Sequence, residues 1–164
     1  MQRKMRVNLF FILPCLLCGG PVSAAEEVAI NLRGGLIAPP PCVINSGTKI
    51  DVNFGERIGV NKVDGKNYRQ KIDYAFTCEQ NALPWQMTMT LKGGVGFDKA
   101  ALQTNNESLN IRVYQNNIPF IINSSISIDA GNLPILEAVP ISKPDTVLHE
   151  GEFFATGTLL IEYL

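Results

Sequence analysis

Apolar residues recur at every second position along most of the chain, and the three-to-four spacing of an amphipathic helix is nearly absent. Ile50, Val52 and Phe54 alternate with Asp51 and Asn53. Ile72, Tyr74, Phe76 and Cys78 share one parity, with Asp73 and Thr77 on the other. Trp85, Met87, Met89 and Leu91 alternate with Gln86, Thr88, Thr90 and Lys92, and Leu109, Ile111 and Val113 with Asn110, Arg112 and Tyr114. A half-buried strand has this pattern, because successive side chains leave it on opposite faces. Turn-forming clusters separate the runs: Asp64-Gly65-Lys66-Asn67, Gly93-Gly94-Val95-Gly96, Thr104-Asn105-Asn106, Asn116-Asn117 and Asp129-Ala130-Gly131-Asn132. The spacing predicts an all-β sandwich with Trp85 in its core. Asp98–Thr104 predicts one helical turn, and Pro134, Pro140 and Pro144 predict an irregular or edge segment before the last strand.

Two end stretches carry more information. Val28, Ile30, Leu32, Gly34 and Leu36 alternate with Ala29, Asn31, Arg33 and Gly35, and Ala38-Pro39-Pro40-Pro41-Cys42 comes directly after. A triple proline is stiff, extended and without amide donors, so it sets this strand apart from the rest of the chain instead of folding it back in a hairpin. At the other end Phe153, Ala155, Gly157, Leu159, Ile161 and Tyr163 face one way in the longest alternation of the sequence. A sandwich whose last core strand closes the sequence, with an unattached amphipathic strand at its other end, is expected to have an open sheet edge. Such an edge beside an apolar groove is a template for a strand from another chain.

Composition sets the compartment. Arg3, Lys4 and Arg6, the apolar run Leu9–Cys18 and the small residues of Pro21-Val22-Ser23-Ala24 read as a secretory signal peptide, residues 1–24, cut after Ala24 or Ala25. The run is too short to span a bilayer, and no stable membrane insertion is expected. Cleavage after Ala24 leaves 140 residues with eleven basic and fifteen acidic side chains, a net charge of −4, which speaks against a nucleic-acid partner. Cys15 and Cys18 leave with the signal. Cys42 and Cys78 remain, and in an exported chain they read as one disulfide, which would stabilise by roughly 3–5 kcal/mol.

Catalytic chemistry is not legible. His149 is the sole histidine and has no triad or metal-ligand spacing around it. The carboxylates are scattered, and the glycines at 93–96 lack the Lys-Ser/Thr of a phosphate loop. No cofactor, no metal and no enzymatic activity are expected.

Together these residues resemble the pilin subunits of the chaperone-usher pathway, most of all the minor tip-adaptor subunits of P-type pili. Four features carry the resemblance: the alternating extension with Gly34, the Pro-Pro-Cys junction, the Cys42 and Cys78 pair, and the final stretch in which Gly151 stands fourteenth from the end and Tyr163 is penultimate. The resemblance implies an incomplete immunoglobulin-like sandwich lacking its seventh strand, with a donor-strand extension over 25–41 and a pilin domain over 42–164. It implies that Val28, Ile30, Leu32, Gly34 and Leu36 are donated to a neighbour. Gly151, Phe153, Ala155, Gly157, Leu159, Ile161 and Tyr163 would line or flank the acceptor groove, and the Leu164 carboxylate would anchor to a periplasmic pilus chaperone. The implied partners are that chaperone, the outer-membrane usher and neighbouring pilus subunits, an adhesin among the candidates. The implied path runs through the periplasm to the fimbrium on the cell surface. The rival reading, a receptor- or glycan-binding adhesin module, would need a binding domain ahead of the pilin domain, for which 140 residues leave no room.

Overall fold

The computed structural model describes residues 27–38, 40–79 and 86–164, and the chain divides into two units, 1–36 and 37–164. The signal-peptide reading, its cysteines, Pro39 and Trp85 lie outside the described residues. In the first unit residues 27–36 run without strand or helix. Val28, Ile30, Leu32 and Leu36 there are 80%, 79%, 89% and 105% exposed.

The second unit is all antiparallel β. Its strands are β1 (Cys42–Ile44), β2 (Gln70–Ile72), β3 (Phe76–Cys78), β4 (Met87–Gly93), β5 (Ala101–Gln103), β6 (Leu109–Gln115), β7 (Ile118–Pro119), β8 (Ser125–Ile128), β9 (Leu136–Ser142) and β10 (Gly157–Tyr163). They form one sheet in the order β10-β4-β8 and a second in the order β2-β9-β6-β5, with β7 also on β6; β1 and β3 pair separately. Between the two larger sheets lies a core in which Met87, Met89 and Leu91 of β4 pack with Val113, Phe120 and Leu136. The alternation in β4 thus buries one whole parity, as the sequence predicts. A second cluster joins Val63, Leu109, Ile111 and Ala138. Cys42 lies directly opposite Cys78 in the β1–β3 ladder and is bonded to it, with an S–S distance of 2.02 Å.

Four expectations change. First, Leu136–Ser142 is no irregular or edge segment: β9 is a central strand between β2 and β6. Pro140 is tolerated there because of the ladder's phase. The Lys143 N–H donates to Ser108 O and the Asn116 N–H to Ile135 O, both at 2.9 Å. In an antiparallel ladder these bonds put Ile141, Val139 and Glu137 in exchange with β6 and turn the Pro140 nitrogen the other way. On that side β2 ends with Gln70 opposite Ala138, so the missing donor falls where no ladder bond is required. Second, Asp98–Thr104 is not a helical turn throughout: the Ala101 N–H bonds back to Asp98 O at 3.0 Å, and Ala101–Gln103 then pairs with β6 as a strand. Third, the Ile72–Cys78 alternation is two strands, not one. β2 joins β9 and β3 joins β1, with the chain passing from one sheet to the other over 73–75. Fourth, Ile50, Val52 and Phe54 keep their alternating burial, but the segment forms no ladder with any described residue.

Candidate functional site

The unpaired segment carrying Val52 and Phe54 is one wall of an open groove, and residues 148–154, just ahead of β10, are the other. β10 pairs with β4 along its whole length, from Gly157 opposite Gly93 to Tyr163 opposite Met87. Its other edge has no strand partner among the described residues. The Leu164 N–H donates to Gln86 O at 2.9 Å, which fixes the phase of this ladder as well. The amides of Thr158, Leu160 and Glu162 therefore turn toward β4, and those of Leu159 and Ile161 turn to the open edge.

The side chains tell the same story from the apolar side. Leu159, Ile161 and Tyr163 pack on the core cluster that holds Met87, Met89 and Leu91. The three β4 residues are buried, whereas the three on β10 are only half-buried. Neighbours on one face of one sheet should bury alike unless cover is missing over one of them. Gly157 continues the inward parity: a Cβ there would stand 3.2 Å from both Leu91 Cδ1 and Leu102 Cδ1, so the missing side chain lets the backbone lie close to the core. Upstream of β10 the chain runs extended but unpaired, with Phe153 and Ala155 half-buried and Phe154 and Thr156 exposed.

The opposing wall lies within residues 51–58. Phe54 meets Phe153 with ring centroids 6.0 Å apart and planes tilted by 39°. Val52, Phe54, Ile58, Leu148 and Phe153 line a groove of about 1010 Å³. Gly151 sits on its rim at φ 152°, a backbone conformation that side-chain-bearing residues rarely adopt. At the far end of β10 the Tyr163 hydroxyl donates to Pro40 O at 2.7 Å and lies 2.6 Å from Cys42 Sγ. The last strand is thereby tied to the residues just ahead of β1. Leu164 is 73% exposed.

Of the residues singled out in the sequence, Gly151 and Phe153 line the groove, whereas Ala155, Leu159, Ile161 and Tyr163 pack on the core cluster farther along the chain and do not line it. Val28, Ile30, Leu32, Gly34 and Leu36 belong to the other unit. Val52, Phe54, Ile58 and Leu148 were not identified as groove residues from the sequence. The alternation of Ile50–Phe54 is visible there, but nothing in it distinguishes a paired strand from an unpaired one. Among the described residues no cluster of His, Cys, Asp or Glu could hold a metal ion, and no helix is long and apolar enough to cross a membrane.

Comparison with known proteins places this geometry. The family model described as fimbrial protein matches residues 30–164. The chain is 32% identical to the uncharacterized fimbrial-like protein YfcQ of Escherichia coli K12, covering 90% of this chain and 95% of that one. It is 26% identical to the fimbrial adapter PapF of Escherichia coli, covering 97% and 99%. Among solved structures, the P pilus adaptor subunit PapF superposes with a TM-score of 0.56 at 23% identity over 77% of this chain and 98% of that one. The P pilus rod subunit PapA superposes with a TM-score of 0.65 at 18% identity over 76% and 99%.

Proposed function

The chain belongs to the fimbrial protein family, and on that footing we propose that it is a minor adaptor subunit that polymerises by strand exchange, linking an adhesin to the fibre. Membership makes it a structural pilus subunit of the surface fimbrium, with an immunoglobulin-like all-β fold, and not an enzyme. The finer reading starts from one observation: the outer edge of β10 has no strand partner among the described residues, Leu159 and Ile161 on that strand are only half-buried, and the residues just ahead of it line an open groove. A strand laid along that edge would satisfy the outward amides and cover the apolar parity together. The similarity to a fimbrial adapter along nearly its whole length supports the adaptor position.

In this reading residues 1–24 direct export and are removed. A periplasmic chaperone fills the groove of 42–164, with the Leu164 carboxylate as one contact, and at the outer-membrane usher a neighbour's extension replaces it. The chain's own extension, residues 25–41, enters the next subunit through Val28, Ile30, Leu32, Gly34 and Leu36. Burial of those four large apolar side chains would contribute about 6–12 kcal/mol before entropy. Gly34 leaves room where the acceptor is shallow.

Donor and acceptor roles can be separated. A peptide spanning Val28–Leu36 is offered to chaperone complexes of candidate acceptor subunits, and in parallel a chain lacking residues 25–36 is offered donor peptides from its neighbours. The truncated chain should still accept a strand and should no longer join an acceptor. Failure of every acceptor to take the peptide would sink the donor role.

A further inference from the structure

The groove has a charge pattern that its apolar floor does not require. Asp51, Glu56, Glu150 and Glu152 line it, and no lysine or arginine among the described residues does; Arg57, exposed beside Glu56 on one wall, stands outside the lining. Asp51 pairs with Lys49 at 2.7 Å, but both side chains are more than three-quarters exposed, and a pair so open to water does little to cancel the field. The parity of the walls shows where these groups act. On one wall Val52 and Phe54 turn inward while Asp51 and Asn53 are exposed; on the other Phe153 and Ala155 turn inward while Glu152 and Phe154 are exposed. Farther along the same edge Glu162 is again on the exposed parity. A strand lying between the walls would set its own solvent-facing side chains beside carboxylates on both sides.

We propose that this groove selects its strand by charge as well as by shape: the occupant is a strand of another polypeptide with large apolar residues on one parity and Lys or Arg, without Asp or Glu, on the other. The inference rests on the reading of the groove as a strand acceptor. Opposite charges facing each other across adjacent strands are favourable and like charges are unfavourable, so the acidic rim admits basic strands and rejects acidic ones at equal apolar fit. The chain's own Val28–Leu36 segment has this make-up, with Arg33 as its one charge on the parity of Ala29, Asn31 and Gly35.

The test uses the full mature chain refolded with synthetic strands the length of Val28–Leu36. All share the same apolar parity and differ only in carrying Lys, Gln or Glu at the intervening positions. At low salt the Lys strand should bind about fivefold to thirtyfold more tightly than the Glu strand, as a few cross-strand charge pairs allow. The gap should narrow at high salt, where exposed charges are screened. Asp51→Asn combined with Glu152→Gln should abolish most of the difference between the Lys and Glu strands. Equal binding of all three strands, or a preference for Glu, overturns charge selection while leaving strand acceptance standing. A preference that survives the double substitution overturns the assignment to these walls. Binding of no strand at any charge overturns the acceptor reading beneath it.

Discussion

At Gly96 the backbone passes so close to Asn110 that a Cβ would overlap the carboxamide. Asn110 cannot give way easily: it is 2% exposed, its Oδ1 accepts the Phe97 N–H at 2.8 Å and its Nδ2 donates to Leu109 O at 2.8 Å. Gly96→Ala should therefore destabilise the domain by about 1–3 kcal/mol, the usual cost of forcing atoms into a filled site. Gly94→Ala, whose Cβ would meet Gln103 at an ordinary 3.5 Å, should cost far less; urea midpoints of the two variants make the comparison. Tyr74 offers a pH test. Burial pushes its hydroxyl up to about 12, and the hydroxyl donates to Pro134 O at 2.6 Å. The folded state thus holds the proton more tightly than the unfolded state, whose tyrosine titrates near the ordinary value of about 10. This contribution is complete below about pH 10 and is lost as pH rises toward 12. Denaturation midpoints of the native chain should fall over that window, and Tyr74→Phe should flatten the fall.

β10 makes the sharpest prediction at the level of elements. Its amides divide by parity: Thr158, Leu160 and Glu162 face β4, and Leu159 and Ile161 face the open edge. Hydrogen exchange should therefore alternate along the strand in the free chain, and the fast set should slow by orders of magnitude once a strand is added. Uniform protection in the free chain would mean that the edge is already covered. The parity of β10 and of β4 was legible in the sequence because each shows the core one face and something different the other. β9 was not, because both of its faces are buried. Leu136 and Ala138 enter the two main clusters, and Val139 and Ile141 join Ala101 in a third. Such a strand reads as a plain apolar run, and Pro140 within it argues for an edge until the ladder phase is known. Ala101–Gln103 is too short to show any period. The groove was less legible for a related reason: the run from Phe153 to Tyr163 announces a face, of which only the start lines the groove, whereas Ile50–Phe54 looks like any other strand and differs only in lacking a partner among the described residues.

The whole molecule, in the proposed reading, is unfinished until a neighbour completes it. A free mature chain should be markedly less stable than the same chain saturated with a donor strand, by several kcal/mol, since four large apolar side chains and one sheet edge are covered together. Chemical denaturation with and without peptide measures the difference, and equal midpoints would contradict it. The Cys42–Cys78 bond works on the same balance from the unfolded side. Its reduction should lower stability by roughly 3–5 kcal/mol, read from denaturation with and without reductant. That crosslink also bears on how the subunit carries tension. Cys42 is where the polypeptide enters β1, and the bond leads from it straight to β3, bypassing the chain between. Pulled from the residues ahead of Cys42, an unravelling subunit cannot release the loop closed by this bond, a sequence separation of 36, about 120 Å of slack at roughly 3.3–3.6 Å per residue. Force–extension traces should lengthen by that amount only after reduction: the bond sets an upper limit on how far one link of the fibre can stretch.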